Sequence, residues 1–142
     1  STRLAFFVDV SGSMTDDILS KGFGIVNKFF TYGIKEVDVY QFDTELKNDG
    51  KPLKMDRAKR DIKLMGRGGT DFQVVLDKLS NEKNYDGVIV YTDGWAQRPT
   101  VPKGVNAKDI LWLFDKEDNY NAAYPNLKGI GRAAFVRSDR EY

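Results

Sequence analysis

Asp9, Ser11 and Ser13 stand at alternate positions directly after the apolar run Leu4-Ala5-Phe6-Phe7-Val8. Carboxylate and hydroxyl oxygens are the donors that a hard divalent cation takes. Two more segments carry the same chemistry. Gly66-Arg67-Gly68-Gly69-Thr70-Asp71 precedes an amphipathic stretch, and Thr92-Asp93-Gly94 ends the run that starts near Val88. Together they offer two carboxylates, Asp9 and Asp93, and three hydroxyls, Ser11, Ser13 and Thr70. Gly12 permits a sharp turn, so both serine hydroxyls can point at one spot. The glycine-rich loop lets Thr70 come near the same spot. Neutral hydroxyl ligands leave a cation strongly positive, with a position open to an acidic group from outside. Asp71 is expected in the supporting shell or as a helix cap; Asp43, at the end of another strand, is expected near the same edge or, more in keeping with its type, as a surface or turn residue. Arg67 and Trp95 flank the cluster. Arg67 is expected to capture a partner carboxylate, and Trp95 to supply apolar contact on the rim.

The composition narrows the chemistry further. The 142 residues include no Cys and no His. That excludes disulfides, thiolate zinc sites, cysteine nucleophiles, Ser-His-Asp triads and imidazole bases. Any metal must be hard and oxygen-bound: Mg²⁺, with Mn²⁺ or Ca²⁺ as alternatives. Lys plus Arg number 22 and Asp plus Glu 21, a net charge of +1. Such balance supplies no global attraction to nucleic acid or acidic lipid. Nucleic acid is therefore not an expected partner, although Lys54, Arg57, Lys59 and Arg60 form a local basic cluster. No apolar run nears the ~18 residues of a membrane span, and no signal peptide is visible, so a cytoplasmic location is expected.

The elements that must position these residues follow from the apolar pattern. Leu4–Val8, Asp86–Tyr91 and Asp109–Phe114 are continuous apolar runs, the mark of strands buried on both faces. Lys35–Thr44 and Arg132–Arg137 are further β-rich stretches. Leu19, Phe23, Val26 and Phe30 make one helical stripe, capped by Thr15 or Asp16, and Phe72, Val75, Leu76 and Leu79 make another, capped by Thr70 or Asp71. Gly22 and Gly24 lower helix propensity; they allow close approach to a neighbouring backbone or are simply tolerated. Asp56–Asp61 reads as a short exposed helix. Alternating strands and helices predict an α/β domain with a Rossmann-like doubly wound, mainly parallel sheet and helices on both faces. The short polar link Lys47-Asn48-Asp49-Gly50 predicts a hairpin and one antiparallel edge strand. Residues 95–108 and 115–131 read as long surface loops.

Asp9, Ser11, Ser13, Thr70 and Asp93 match, residue by residue, the metal-ion-dependent adhesion site (MIDAS) of von Willebrand factor A (VWA) domains, which this chain resembles from about Leu4 to Phe114. Phe7–Met14, Gly68–Phe72, Tyr91–Gly94 and Ile110–Trp112 are similar to a bacterial and phage VWA-like branch that follows a predicted metallopeptidase-like domain. The resemblance implies an intracellular protein, sometimes paired with a MoxR-type AAA+ ATPase. It does not make this chain a peptidase, because the histidine motif is missing.

The expectation is one domain over residues 1–142, complete or the C-terminal fragment of a longer protein. It is expected to bind a protein through a cation completed by a partner Asp or Glu, and to lack catalytic residues of its own. The alternative is a phosphoryl-transfer enzyme of the haloacid-dehalogenase-like type. That chemistry uses Asp-x-Asp, and Ser11 stands where its second Asp would be.

Overall fold

A computed structural model describes residues 2–56 and 68–139. The strands are β1 (Leu4–Asp9), β2 (Val37–Phe42), β3 (Leu53–Met55), β4 (Gly87–Thr92), β5 (Ile110–Phe114) and β6 (Arg132–Phe135). The helices are α1 (Asp16–Thr31), α2 (Gln73–Asn81) and α3 (Glu117–Ala123). One sheet runs in the order β3-β2-β1-β4-β5-β6. All neighbours pair in parallel except β2 and β3, which form the expected antiparallel hairpin edge. Its link turns through positive φ at Asn48 and Asp49, residue types that tolerate the left-handed region.

The sheet is covered on both faces. On one, Leu19, Val26 and Phe30 of α1 pack with Phe6, Val8 and Tyr91. On the other, Val75, Leu76 and Leu79 of α2 pack with Phe7, Tyr40, Val90 and Trp112. Adjacent Phe6 and Phe7 thus serve opposite cores, as the two-residue period of a strand requires. The Thr15 hydroxyl caps α1 by accepting from the Ile18 N–H at 3.3 Å. Gly22 is a close-approach point, but to a side chain rather than a backbone: a Cβ there would fall 2.5 Å from the Tyr91 ring. Tyr91 in turn donates its hydroxyl to the Ile18 carbonyl at 2.6 Å. Both contacts fix α1 against β4 and so fix the loop that leads into it.

Residues 115–131 are not an irregular loop. They contain α3, followed by a 3-10 turn at Tyr124–Asn126. Tyr120, Ala123, Tyr124 and Leu127 stand at i, i+3, i+4 and i+7 and all join the α2-side core. The Tyr120 ring lies 5.2 to 5.8 Å from those of Phe114, Tyr124 and Phe135. A seven-residue helix has little stability of its own. This one forms because aromatic packing holds it, and its stripe of Tyr and Ala is weakly apolar. The 95–108 segment is irregular, as expected, up to a 3-10 turn at Ala107–Asp109, and it is pinned: Gln73 exchanges two hydrogen bonds with the Thr100 backbone, at 2.9 and 2.8 Å. The charged run Asp56–Asp61 lies outside the described residues beyond Asp56.

At the opposite pole from the strand carboxyl ends, buried Asp38 accepts from Lys54 at 2.8 Å, Arg3 at 3.3 Å and the Tyr85 hydroxyl at 2.6 Å. Burial pushes its carboxyl up, but the Lys54 and Tyr85 bonds and the Lys54 and Arg3 charges outweigh this and hold it below the ordinary 3.8. A depressed carboxylate stabilises the fold above its unfolded pKa and loses that contribution as pH falls through the folded value. Thermal stability should therefore decline as pH drops below about 4, and Asp38→Asn should remove part of that slope. Gly22→Ala should destabilise the protein by about 1–3 kcal/mol in denaturant unfolding; an unchanged midpoint would show that the Tyr91 contact does not constrain α1.

Candidate functional site

The strand order reverses between β1 and β4, the point where such sheets form a crevice at their carboxyl ends. The register dictates who meets there. Val8 pairs with Tyr91, so Asp9 and Thr92 come side by side and Asp93 lies one residue beyond. The Thr92 hydroxyl donates to Asp9 Oδ2 at 2.7 Å and accepts from the Gly94 N–H at 3.0 Å. Asp9 Oδ1 accepts from the Ser11 N–H at 2.9 Å. The chain then turns, with the Met14 N–H on the Ser11 carbonyl at 3.0 Å. The turn brings Ser13 Oγ to 3.4 Å from Ser11 Oγ, and the Ser13 hydroxyl donates to Asp93 Oδ2 at 2.5 Å.

Asp9, Ser11, Ser13 and Asp93 therefore form one contiguous cluster. Thr70 is half-buried on a loop tethered at both sides of it. Gly12 N–H donates to the Gly68 carbonyl, and Asp71 N–H to the Asp43 carbonyl, each at 2.9 Å. Asp71 Oδ1 accepts from the Gln73 N–H at 2.9 Å, which caps the start of α2. Trp95 is 61% exposed, and its N–H donates to Asp93 Oδ1 at 3.3 Å. Arg67 lies outside the described residues.

Three further residues contribute. Thr92 locks Asp9, and only the strand register reveals that. Asp43 is buried rather than on the surface. Its Oδ1 accepts from the Glu45 N–H at 3.0 Å in a turn, while Lys47 Nζ bridges to Oδ2 at 2.8 Å. A Cβ on Gly68 would stand 3.3 Å from that same Oδ2, so the glycine lets the Thr70 loop pass close. The Asp43–Lys47 spacing of four was the available signal. Asp115, at the end of β5, is buried and accepts from Asn119 at 2.8 Å. Gly94 is the fixed pivot: its φ is +88°, and a Cβ would fall within 2.6 Å of both Phe114 and Ala123.

Burial is the main cause that pushes the Asp9 carboxyl above its ordinary value; bonds from Ser11 and Thr92 oppose it, and the Asp93 charge adds to it. Burial likewise raises Asp115, opposed by Asn119 and reinforced by Asp93. Asp9, Asp93 and Asp115 thus share one anionic stretch of the sheet edge. Among the described residues no three carboxylates converge as a metal-holding group. A cation here would have to be met by hydroxyls together with Asp9 and Asp93. The donor set fits a hard ion: the 3.4 Å between the serine oxygens is near the ~3 Å edge of an octahedron with ~2.1 Å bonds.

Comparison with known proteins agrees with this architecture. The model of a family described as VWA-like domain (DUF2201) matches residues 4–130. An uncharacterized protein of Thermotoga maritima is 27% identical over 135 residues, 94% of this chain. The chain spans only 32% of that relative's length. The crystal structure of the ArnB paralog VWA2 from Sulfolobus acidocaldarius superposes with a TM-score of 0.58 at 15% identity, covering 96% of this chain and 40% of that one. At that identity the likeness concerns the fold.

Thr92→Val should lower stability by about 1–3 kcal/mol, because it leaves a buried carboxylate oxygen without its donor. Thr92→Ser should retain most of the stability. Equal unfolding midpoints for wild type and Thr92→Val would contradict the role given to this hydroxyl.

Proposed function

The chain belongs to the VWA-like domain family (DUF2201), and on that premise we propose that it is a protein-binding module whose site holds a divalent cation completed by an acidic residue of the partner. The observation that carries this reading is the 2.5 Å bond from Ser13 to Asp93, next to the Ser11 hydroxyl. It joins two sequence motifs 80 residues apart into one oxygen cluster. Ser11, Ser13 and Thr70 would hold Mg²⁺ through hydroxyls, with Asp9 and Asp93 as carboxylate ligands directly or through water. Mn²⁺ and Ca²⁺ share the required ligand chemistry. When bound, the ion supplies a localised positive charge to the edge that Asp9 and Asp93 occupy.

Binding rather than turnover suits these residues. Carboxylates are the only candidates for a general base, and Ser11 stands where a phosphoryl-transfer enzyme of the Asp-x-Asp type needs its acid. The chain's own residues therefore hold and orient; they move no proton in this reading. A MoxR-type AAA+ ATPase is a candidate partner, proposed from the sequence resemblance alone. No helix among the described residues is long and apolar enough to cross a membrane, and the proposed partner is a protein rather than a lipid surface.

Calorimetric titration should give one Mg²⁺ or Mn²⁺ per chain, with affinity reduced more than about tenfold in Asp9→Ala and in Asp93→Ala. Equal binding by wild type and Asp9→Ala, or binding by neither, would remove the metal site. Magnesium-dependent hydrolysis of p-nitrophenyl phosphate that disappears in Asp9→Asn would instead establish an enzyme.

A further inference from the structure

Two large apolar side chains are highly exposed among the described residues, Tyr32 and Trp95. Tyr32 lies just past the C-terminal end of α1, away from the site. Trp95 stands two residues after Asp93, with 61% of its surface in solvent. An exposed indole on a loop ordinarily samples several rotamers. This one is held at both ends. Its backbone N–H donates to Asp93 Oδ1 at 3.3 Å, and its indole Nε1–H donates to Asn119 Oδ1 at 3.1 Å.

Asn119 is itself fixed. Its Nδ2 donates to Asp115 Oδ1 at 2.8 Å. Indole N–H only donates and a carboxylate only accepts, so these two partners set the amide's orientation. Asp115 is buried, and its N–H donates to the Thr92 carbonyl at 3.1 Å. A chain of polar bonds therefore runs from the end of β5 through α3 to an indole that is mostly wet. The next residue is tied as well: Asn126 Nδ2 donates to the Ala96 carbonyl at 3.0 Å. A side chain ordered before binding loses little further freedom when a partner covers it.

We propose that Trp95, positioned by Asn119 and Asp115, is the specificity platform of the site, and that it takes a large aromatic or aliphatic side chain flanking the partner's carboxylate. The preferred partner segment is thus an acidic residue next to an apolar one. This rests on the cation–carboxylate reading above. A flanking cation is the competing occupant, but an exposed cation–π contact is weak beside the apolar area that a ring covers on an indole.

The test uses the whole chain with Mg²⁺ and three synthetic blocked peptides: Phe-Asp-Phe, Ser-Asp-Ser and Lys-Asp-Lys. Binding is followed by nitrogen-15 NMR, which resolves the indole N–H signals of Trp95 and Trp112. Phe-Asp-Phe should bind about tenfold more tightly than Ser-Asp-Ser, and that ratio should collapse towards one in Trp95→Ala. In the free protein the Trp95 indole should show a heteronuclear NOE as high as that of buried Trp112. Asn119→Ala should lower both this NOE and the peptide ratio. Equal magnesium-dependent affinities for all three peptides, or a mobile Trp95 indole in wild type, would overturn the platform and leave the cation reading standing. Tightest binding of Lys-Asp-Lys would overturn it too. Absence of any magnesium-dependent peptide binding would overturn both.

Discussion

The parallel pairing of β1 with β4 is the constraint on which the site depends. Val8 opposite Tyr91 places Asp9 beside Thr92. A slip of one residue would send Thr92 to the other face of the sheet, where α1 packs, and would carry Asp93 away from Ser13. The register is protected by what the strands bury. Phe7 and Val90 belong to one core, Phe6 and Tyr91 to the other. Any slip would exchange these sets. Hydrophobic packing on two faces therefore sets which oxygens meet at the edge, without any of those oxygens contributing to the core.

The arrangement carries an electrostatic tension. Asp9 is fully buried, and Asp93 and Asp115 stand nearby with their own burial. Burial disfavours the charges of Asp9 and Asp115, and the neighbouring Asp93 charge adds to this. Hydroxyls and N–H groups from Ser11, Thr92 and Asn119 relieve part of this. They are dipoles, so the net charge stays. At the Asp43 corner the same problem is solved by a cation: Lys47 sits at 2.8 Å, and the carboxyl titrates below its ordinary value. Among the described residues, no such ion pair reaches Asp9 or Asp93.

Much of this was legible in the sequence because it is local. Asp9, Ser11 and Ser13 share one turn, and continuous apolar runs announce strands covered on both faces. The stripes of α1 and α2, the hairpin edge and the strand order's consequence for the carboxyl ends follow from the same patterns. What escaped is what depends on partners distant in sequence. Thr92 means nothing until β1 lies against β4. Asp43 looks like a turn residue until the Gly68 loop closes over it. The helix at Glu117–Ala123 was missed because Tyr120 and Tyr124 carry hydroxyls and Ala123 is small, so its stripe is faint without Phe114 and Phe135 to pack on. Trp95 was visible as a residue near the site, but the Asn119–Asp115 tether that orders it arises from that same unread helix.

In the proposed site one ion unites the two strand ends. Anomalous diffraction from a crystal grown with Mn²⁺ tests this most directly. A single strong peak within bonding distance of the Ser11 and Ser13 hydroxyls, with the Ser13–Asp93 bond opened to admit it, is the predicted result. Mn²⁺ bound elsewhere on the protein while Ser13 still donates to Asp93 would contradict it.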